Sequence, residues 1–194
     1  EMRNRQFDLV LQMQGNGSIV NPLVELFGAR NTSGFCKEGH YYPSNGLYLE
    51  YPESGHEIHR HLMLVSHLDV PWQGDYLEFP LTTSDYEDLE KAHLPVEPGR
   101  YVCIHPGSRG ASRRWPTENF AKLADFVIEN EFQAVITGTK DEMEIVNEVA
   151  SKMKHTPVIA AGKTSIGAVA VLIKNSFGLI SNCTGVSHIA AALK

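Results

Sequence analysis

Apolar residues fall along this chain in two kinds of block: short dense runs, and longer stretches where they recur every third or fourth position. The run at 7–13 predicts a buried strand. A helix is expected over 16–29, with Ile19, Leu23, Leu26 and Phe27 on one face and Gly28 near its stop. Short strands are expected near Gly34 and over 47–51, a helix over 56–68 and a strand over 76–81. The acidic run 85–90 reads as the first turn and solvated face of a further helix. The segment 92–99, with two prolines and a glycine, is the best candidate for a linker.

Beyond that point the pattern becomes regular. Strands are expected over 101–105, 133–137, 157–160 and 177–181, each followed by a helix, over 116–130, 141–153, 165–174 and 184–193. In the first of these helices Phe120, Leu123, Ala124, Val127 and Ile128 mark one apolar face. Repeated strand–helix units of this length imply a parallel sheet covered on both faces, whose ligands sit beyond the carboxyl ends of the strands. The loops 105–114, 137–140, 161–164 and 182–188 would then share one edge.

Composition narrows the class. The chain has 194 residues, 42% hydrophobic and 21% charged, as in an ordinary soluble globular protein. No apolar run approaches the ~18 residues of a membrane span, and no secretory leader is expected before the first strand. Cys36, Cys103 and Cys183 lie far apart, which fits a reducing cytosol. The net charge of −6 is unevenly spread. Residues 1–95 hold 6 Lys and Arg against 14 Asp and Glu, a charge of −8, and residues 96–194 hold 11 against 9, a charge of +2. A bulk nucleic-acid binder would be basic over a whole face, so no nucleic-acid partner is expected. A local anion site in the second half stays open.

Two loops carry candidate chemistry. The stretch 101–116, YVCIHPGSRGASRRWP, runs from a strand into a loop bearing Arg109, Arg113 and Arg114 with no acidic residue. Such a loop can wrap a phosphate through backbone N–H groups and guanidinium forks; the plainer reading is a solvated basic turn. The stretch from Asn182 to His188 enters a helix through Thr184 and Gly185, where unpaired N–H groups and the positive end of the dipole attract an oxyanion. The plainer reading there is a threonine cap beside a hydrogen-bonded core histidine. Two such loops on one edge suggest a diphosphate. No Walker or G-x-G-x-x-G pattern occurs, and 162–164 only imitates the end of the former. His56, Glu57, His59 and His61 lack the i, i+4 histidine pair of a zincin, so no metal site is expected.

The motifs H-P-G-S…R-R-W-P-x-x-x-F, A-G-K-T-S before a helix, and N-x-T-G-x-x-H-x-A-A-A-L resemble those of bacterial glycosyltransferase family 9, the ADP-heptose:lipopolysaccharide heptosyltransferases and their relatives. FDLVLQMQGN and the L-x-G-A-R at Leu26–Arg30 resemble the family too, so the match covers 7–30 and 101–193. The resemblance implies an α/β, GT-B-like architecture of two Rossmann-like parallel-sheet domains, both incomplete here. Residues 1–95 would belong to the acceptor-side domain and 96–194 to the nucleotide-sugar domain. It implies transfer of a sugar, heptose foremost, from a nucleotide-diphosphate sugar such as ADP-heptose to a lipid-linked envelope acceptor. The setting would be cytoplasmic, on the inner face of the membrane, with no metal cofactor.

By motif, Ser108 and Arg113 would hold the diphosphate, with Arg109 beside them from the loop reading. Thr184, Gly185 and His188 would line the sugar and diphosphate end. Gly162, Lys163, Thr164 and Ser165 would lie near the nucleoside. Two departures matter. Cys183 stands where the family motif has Asp, which points to an alternative: a weak or inactive binder of nucleotide sugars. The family's amino-terminal Gly-Asp segment, whose Asp is taken as the catalytic base, has no counterpart, so the catalytic residue is unknown and these 194 residues alone are expected to show no transfer. A different GT-B enzyme, such as an epimerase, would need carboxylates that the motifs do not identify.

Overall fold

A computed structural model describes residues 1–193. The chain forms two compact units, residues 1–75 and 76–194.

The first unit is built on a three-stranded parallel sheet, β1 (Leu9–Gln12), β2 (Asn31–Cys36) and β3 (Leu47–Glu50), in that order. Helices α1 (Val20–Glu25) and α2 (Glu57–Ser66) accompany it. Its core is small. Phe35 and Leu64 are fully buried, and Phe35 packs edge-on against Tyr51. The predicted helix over 16–29 shrinks to six residues, and its periodic apolar face points outward: Ile19 is 88% exposed, Leu23 54% and Leu26 59%. The opposite face is held in by a polar anchor. Asn21 is fully buried and its Nδ2 donates to the Phe35 carbonyl at 3.0 Å. Gly17 takes a positive φ of 78° beside this amide, where a Cβ would collide with Asn21 and the Phe35 carbonyl.

The second unit opens with α3 (Thr83–Lys91), begun by a capping box in which Asp85 reaches back to the Thr82 backbone. Strands β4 (Tyr101–His105), β5 (Gln133–Ile136), β6 (Val158–Ile159) and β7 (Gly178–Ser181) form one all-parallel sheet in the order β6-β5-β4-β7. Helices α4 (Thr117–Glu129) and α5 (Met143–Lys152) cover one face, over Val102, Ile104, Ala134 and Ile136. Helices α6 (Ile166–Lys174) and α7 (Gly185–Leu193), with α3 against α6, cover the other, over Tyr101, Cys103, Val135 and Leu179. The alternation along each strand therefore feeds two cores, which is why the strands read as unbroken apolar runs. Each fully buried Val, Leu, Ile or Phe in them contributes about 1.5–3 kcal/mol. Tyr101 keeps its hydroxyl satisfied within the core by donating to the Leu172 carbonyl at 2.6 Å.

Two sequence expectations need correction. Residues 76–81 form no strand: Pro80 cannot donate to a ladder, and no neighbouring strand pairs with the segment. The division of the chain comes after Asp75, not at 95/96. Residues 92–99 are no linker, because Leu94 and Val96 pack against the second core and the Gly99 N–H donates to Asn175 O at 2.8 Å. Helix α3 belongs with α6, where a Cβ on Gly167 would collide with Asp85.

Candidate functional site

Strand order places the site. The chain runs from β4 out to β5 and β6, then returns to the other side of β4 as β7, and the helices that follow β4 and β7 pack on opposite faces of the sheet. The loops after these two strands must part there, leaving a crevice at their carboxyl ends. A cavity of about 340 Å³ opens at that point, lined by residues that follow all of β4, β5, β6 and β7. Its size falls within the roughly 300–1,000 Å³ of small-molecule sites.

The end of β4 and the loop after it supply His105, Ser108 and Arg109, and the entry and first turns of α7 supply Thr184, Gly185, Val186 and Ile189. One buried side chain ties these two regions together. Asn182 is 7% exposed; its Nδ2 donates to the carbonyls of Pro106 at 2.8 Å and Gly107 at 3.3 Å, and its Oδ1 accepts from the Trp115 N–H at 3.0 Å. Arg114 completes the brace, donating from Nε to the Ser108 carbonyl at 2.8 Å. Its guanidinium thus shapes the loop. Ser108 is buried, and the Thr184 hydroxyl is buried with no hydrogen-bond partner among the described residues. A buried unpaired hydroxyl costs roughly 1–3 kcal/mol. Its place on the cavity wall beside the first turn of a nine-residue helix marks a point where a bound group can be received.

The loops after β5 and β6 build the opposite wall. Thr139 and Glu142 form a capping box, with Glu142 Oε2 accepting from the Thr139 N–H at 2.9 Å and hydroxyl at 3.3 Å. The same carboxylate lies over Gly107, where a Cβ would collide with it, and 3.8 Å from His105 Nε2. His105 is buried, and burial lowers its pKa below the ordinary histidine value while the attraction of Glu142 works the other way. Thr164, Ser165, Ile166 and Val169 finish the wall, Ser165 capping α6 by accepting from the Ala168 N–H at 3.2 Å. The apolar lining therefore comes from α6 and α7, and the polar lining from the loops.

Of the expected site residues, Ser108, Arg109, Thr164, Ser165, Thr184 and Gly185 line this cavity. Arg113, His188, Gly162 and Lys163 do not. Arg113 sits on a 3-10 turn over residues 111–113, exposed, with its Cγ and Cδ folded over Gly110. His188 is exposed on α7 between the lining residues Val186 and Ile189, and Lys163 is exposed on its turn. Motif reading missed His105, Glu142 and Asn182. The first lay in the quoted H-P-G-S stretch, and the capping pattern T-x-x-E at 139–142 was visible; nothing local showed that the two would meet. The histidines of α2 are otherwise engaged. His59 pairs with Asp75 at 2.8 Å, His61 donates to the Met13 carbonyl at 3.0 Å, and His56 Nδ1 caps the helix.

The family profile of glycosyltransferase family 9 (heptosyltransferase) matches residues 1–194. The lipopolysaccharide core heptosyltransferase OpsX of Haemophilus influenzae is 24% identical over 205 residues, covering 98% of this chain and 55% of that protein. Among solved structures, a family 9 glycosyl transferase from Veillonella parvula superposes with a TM-score of 0.71 at 20% identity, covering 96% of this chain and 54% of its own. The E. coli ADP-heptose LPS heptosyltransferase II gives 0.69 at 23% identity, covering 99% and 62%. The chain thus spans about half the length of OpsX. With the H-P-G-S and N-x-T-G loops converging on one cavity and the profile matching throughout, the chain belongs to glycosyltransferase family 9.

Proposed function

We propose that this chain carries the donor-binding cavity of a glycosyltransferase that moves a sugar, heptose foremost, from a nucleotide-diphosphate donor such as ADP-heptose to lipopolysaccharide or another lipid-linked envelope acceptor. The observation that supports it most is the meeting of the Ser108 and Thr184 loops in one hollow at the switch point of the sheet. An E. coli relative acting with ADP-heptose supports the choice of donor.

In this reading the diphosphate lies against Ser108, Arg109, Thr184 and the first N–H groups of α7. Sugar transfer breaks the bond between the anomeric carbon and the phosphate oxygen, leaving negative charge on the diphosphate. A guanidinium and aligned N–H groups that gain most from that charge lower the barrier. No metal is called for by this set of donors. Ile166 and Val169 offer the apolar surface a base needs, next to Thr164 and Ser165. Glu142 repels phosphate, so its carboxylate serves the hydroxylated part of the donor. The acceptor would be met at the cytoplasmic membrane face; no helix among the described residues is long and apolar enough to cross a membrane.

Calorimetric titration with ADP, UDP and GDP tests the reading. Saturable binding selective for ADP is expected. Equal indifference to all three would dispose of the donor-site assignment.

A further inference from the structure

Glu142 also lines a second, neighbouring cavity of about 390 Å³, to which the transfer chemistry above gives no task. This hollow lies between the end of the loop after β4, the start of α4 and the first turns of α5, wholly within the second unit. Its lining makes three different demands on an occupant. The first is apolar. The Trp115 indole is 45% exposed and held edge-on by Phe120, with ring centroids 5.2 Å apart, and Ile145 adds half-buried aliphatic surface. The second is for donors. Asp141 and Glu144 are exposed on the same lining, with no hydrogen-bond or ion-pair partner among the described residues. Glu148 does not join them, because Lys152 and the Thr117 hydroxyl each already donate to it at 2.7 Å. The third is for acceptors. Arg114 commits its Nε to the Ser108 carbonyl, which leaves the terminal amino groups of its fork unpaired.

Ligand classes divide on these demands. A phosphate satisfies Arg114 and is repelled by the carboxylates. An ammonium satisfies the carboxylates and the indole face, but is repelled by Arg114 and gives it no acceptor. A neutral sugar meets all three, since each hydroxyl both donates and accepts and the ring C–H groups offer an apolar face. We propose that this cavity is a subsite for a neutral pyranose residue of the acceptor glycan. Trp115 is its stacking platform, Asp141 and Glu144 accept from its hydroxyls, and Arg114 donates to them. Assigning the sugar to the acceptor rests on the donor-site reading above: Glu142 lines both hollows, so a sugar held here lies beside the bound donor.

NMR titration of the unmodified chain with the methyl glycoside of a neutral hexose tests the subsite. Binding is followed at the Trp115 indole N–H and by saturation transfer to the sugar. The chain has two tryptophans, and the indole of Trp72, in the first unit, serves as the internal reference that should not move. Saturable binding is expected with a Kd on the order of 1–10 mM, unchanged when the chain is saturated with ADP. Trp115→Ala should weaken it at least tenfold, and Trp115→Phe, which keeps a stacking face, should hold it within about threefold. Glu144→Ala, at an exposed position on α5, should weaken the glycoside about three- to tenfold and leave ADP affinity unchanged.

No response up to about 100 mM glycoside would overturn the subsite. So would an equal response to the hexose 6-phosphate, or a preference for lysine methyl ester, which would point to a basic partner instead. Displacement of the glycoside by ADP would put the sugar in the donor cavity and overturn it as well. Glycoside binding by a chain that ignores ADP, UDP and GDP would support a sugar site here while removing the donor reading.

Discussion

Replacing Gly107 by alanine tests the architecture of the cavity with a single methyl group. The φ of Gly107 lies outside the left-handed region, so alanine brings no backbone strain of its own. A Cβ there overlaps Cδ and Oε1 of Glu142 and comes within 2.9 Å of Oε2. The carboxylate must retreat by about 1 Å to regain ordinary contact. It cannot do so without lengthening its bonds of 2.9 and 3.3 Å from Thr139. Loss of that capping box costs about 1 kcal/mol, or roughly 2–4 °C of melting temperature for a chain of this size. Loss of a charged acceptor for a ligand hydroxyl costs about 1.5–3 kcal/mol, a ten- to 150-fold drop in ADP affinity by calorimetry. Because both losses run through Glu142, the double variant Gly107→Ala/Glu142→Ala should bind no worse than Glu142→Ala alone. An alanine variant with the melting temperature and ADP affinity of the parent would refute the placement of Glu142, and additive losses would refute the route.

Thr184→Val removes a buried hydroxyl that has no partner, so melting should hold or rise slightly, while ADP affinity falls about tenfold or more in the same titration. Asn182→Ala strands two carbonyls and the Trp115 N–H; destabilisation of about 2–4 kcal/mol is expected in urea denaturation, with ADP binding lost alongside. Arg109→Ala should weaken ADP about tenfold and Arg113→Ala less than twofold, since only the first lines the cavity; the reverse order would move the diphosphate toward the 3-10 turn. Timed alkylation read by mass spectrometry should mark exposed Cys183 first and Cys103 last, because burial pushes the Cys103 thiol up to about 12, and ADP should slow labelling at Cys183.

Much of the second unit was readable from residues alone. Strand 101–105 and helices within a residue or two of Thr117–Glu129, Ile166–Lys174 and Gly185–Leu193 followed from apolar spacing, because a helix or a doubly covered strand imprints its period wherever a core lies beside it. The same rule misled where tertiary context was weak. Ile19, Leu23 and Leu26 keep a helical period yet lie exposed, since the buried amide of Asn21, invisible to a hydrophobic pattern, decides which side of α1 faces in. Residues 76–81 have the composition of a strand but no neighbour to pair with.

The sequence by itself determined the strand–helix rhythm and two loops rich in anion-binding groups, because those depend on neighbours a few residues apart. Only the tertiary structure decided that β7 returns beside β4 and that Asn182 ties their loops together. It also decided that Arg109 lines the hollow rather than Arg113, and that His105 meets Glu142. Those outcomes turn on strand order and on which way a loop side chain projects, and residues 37 or 76 positions apart carry no local record of either.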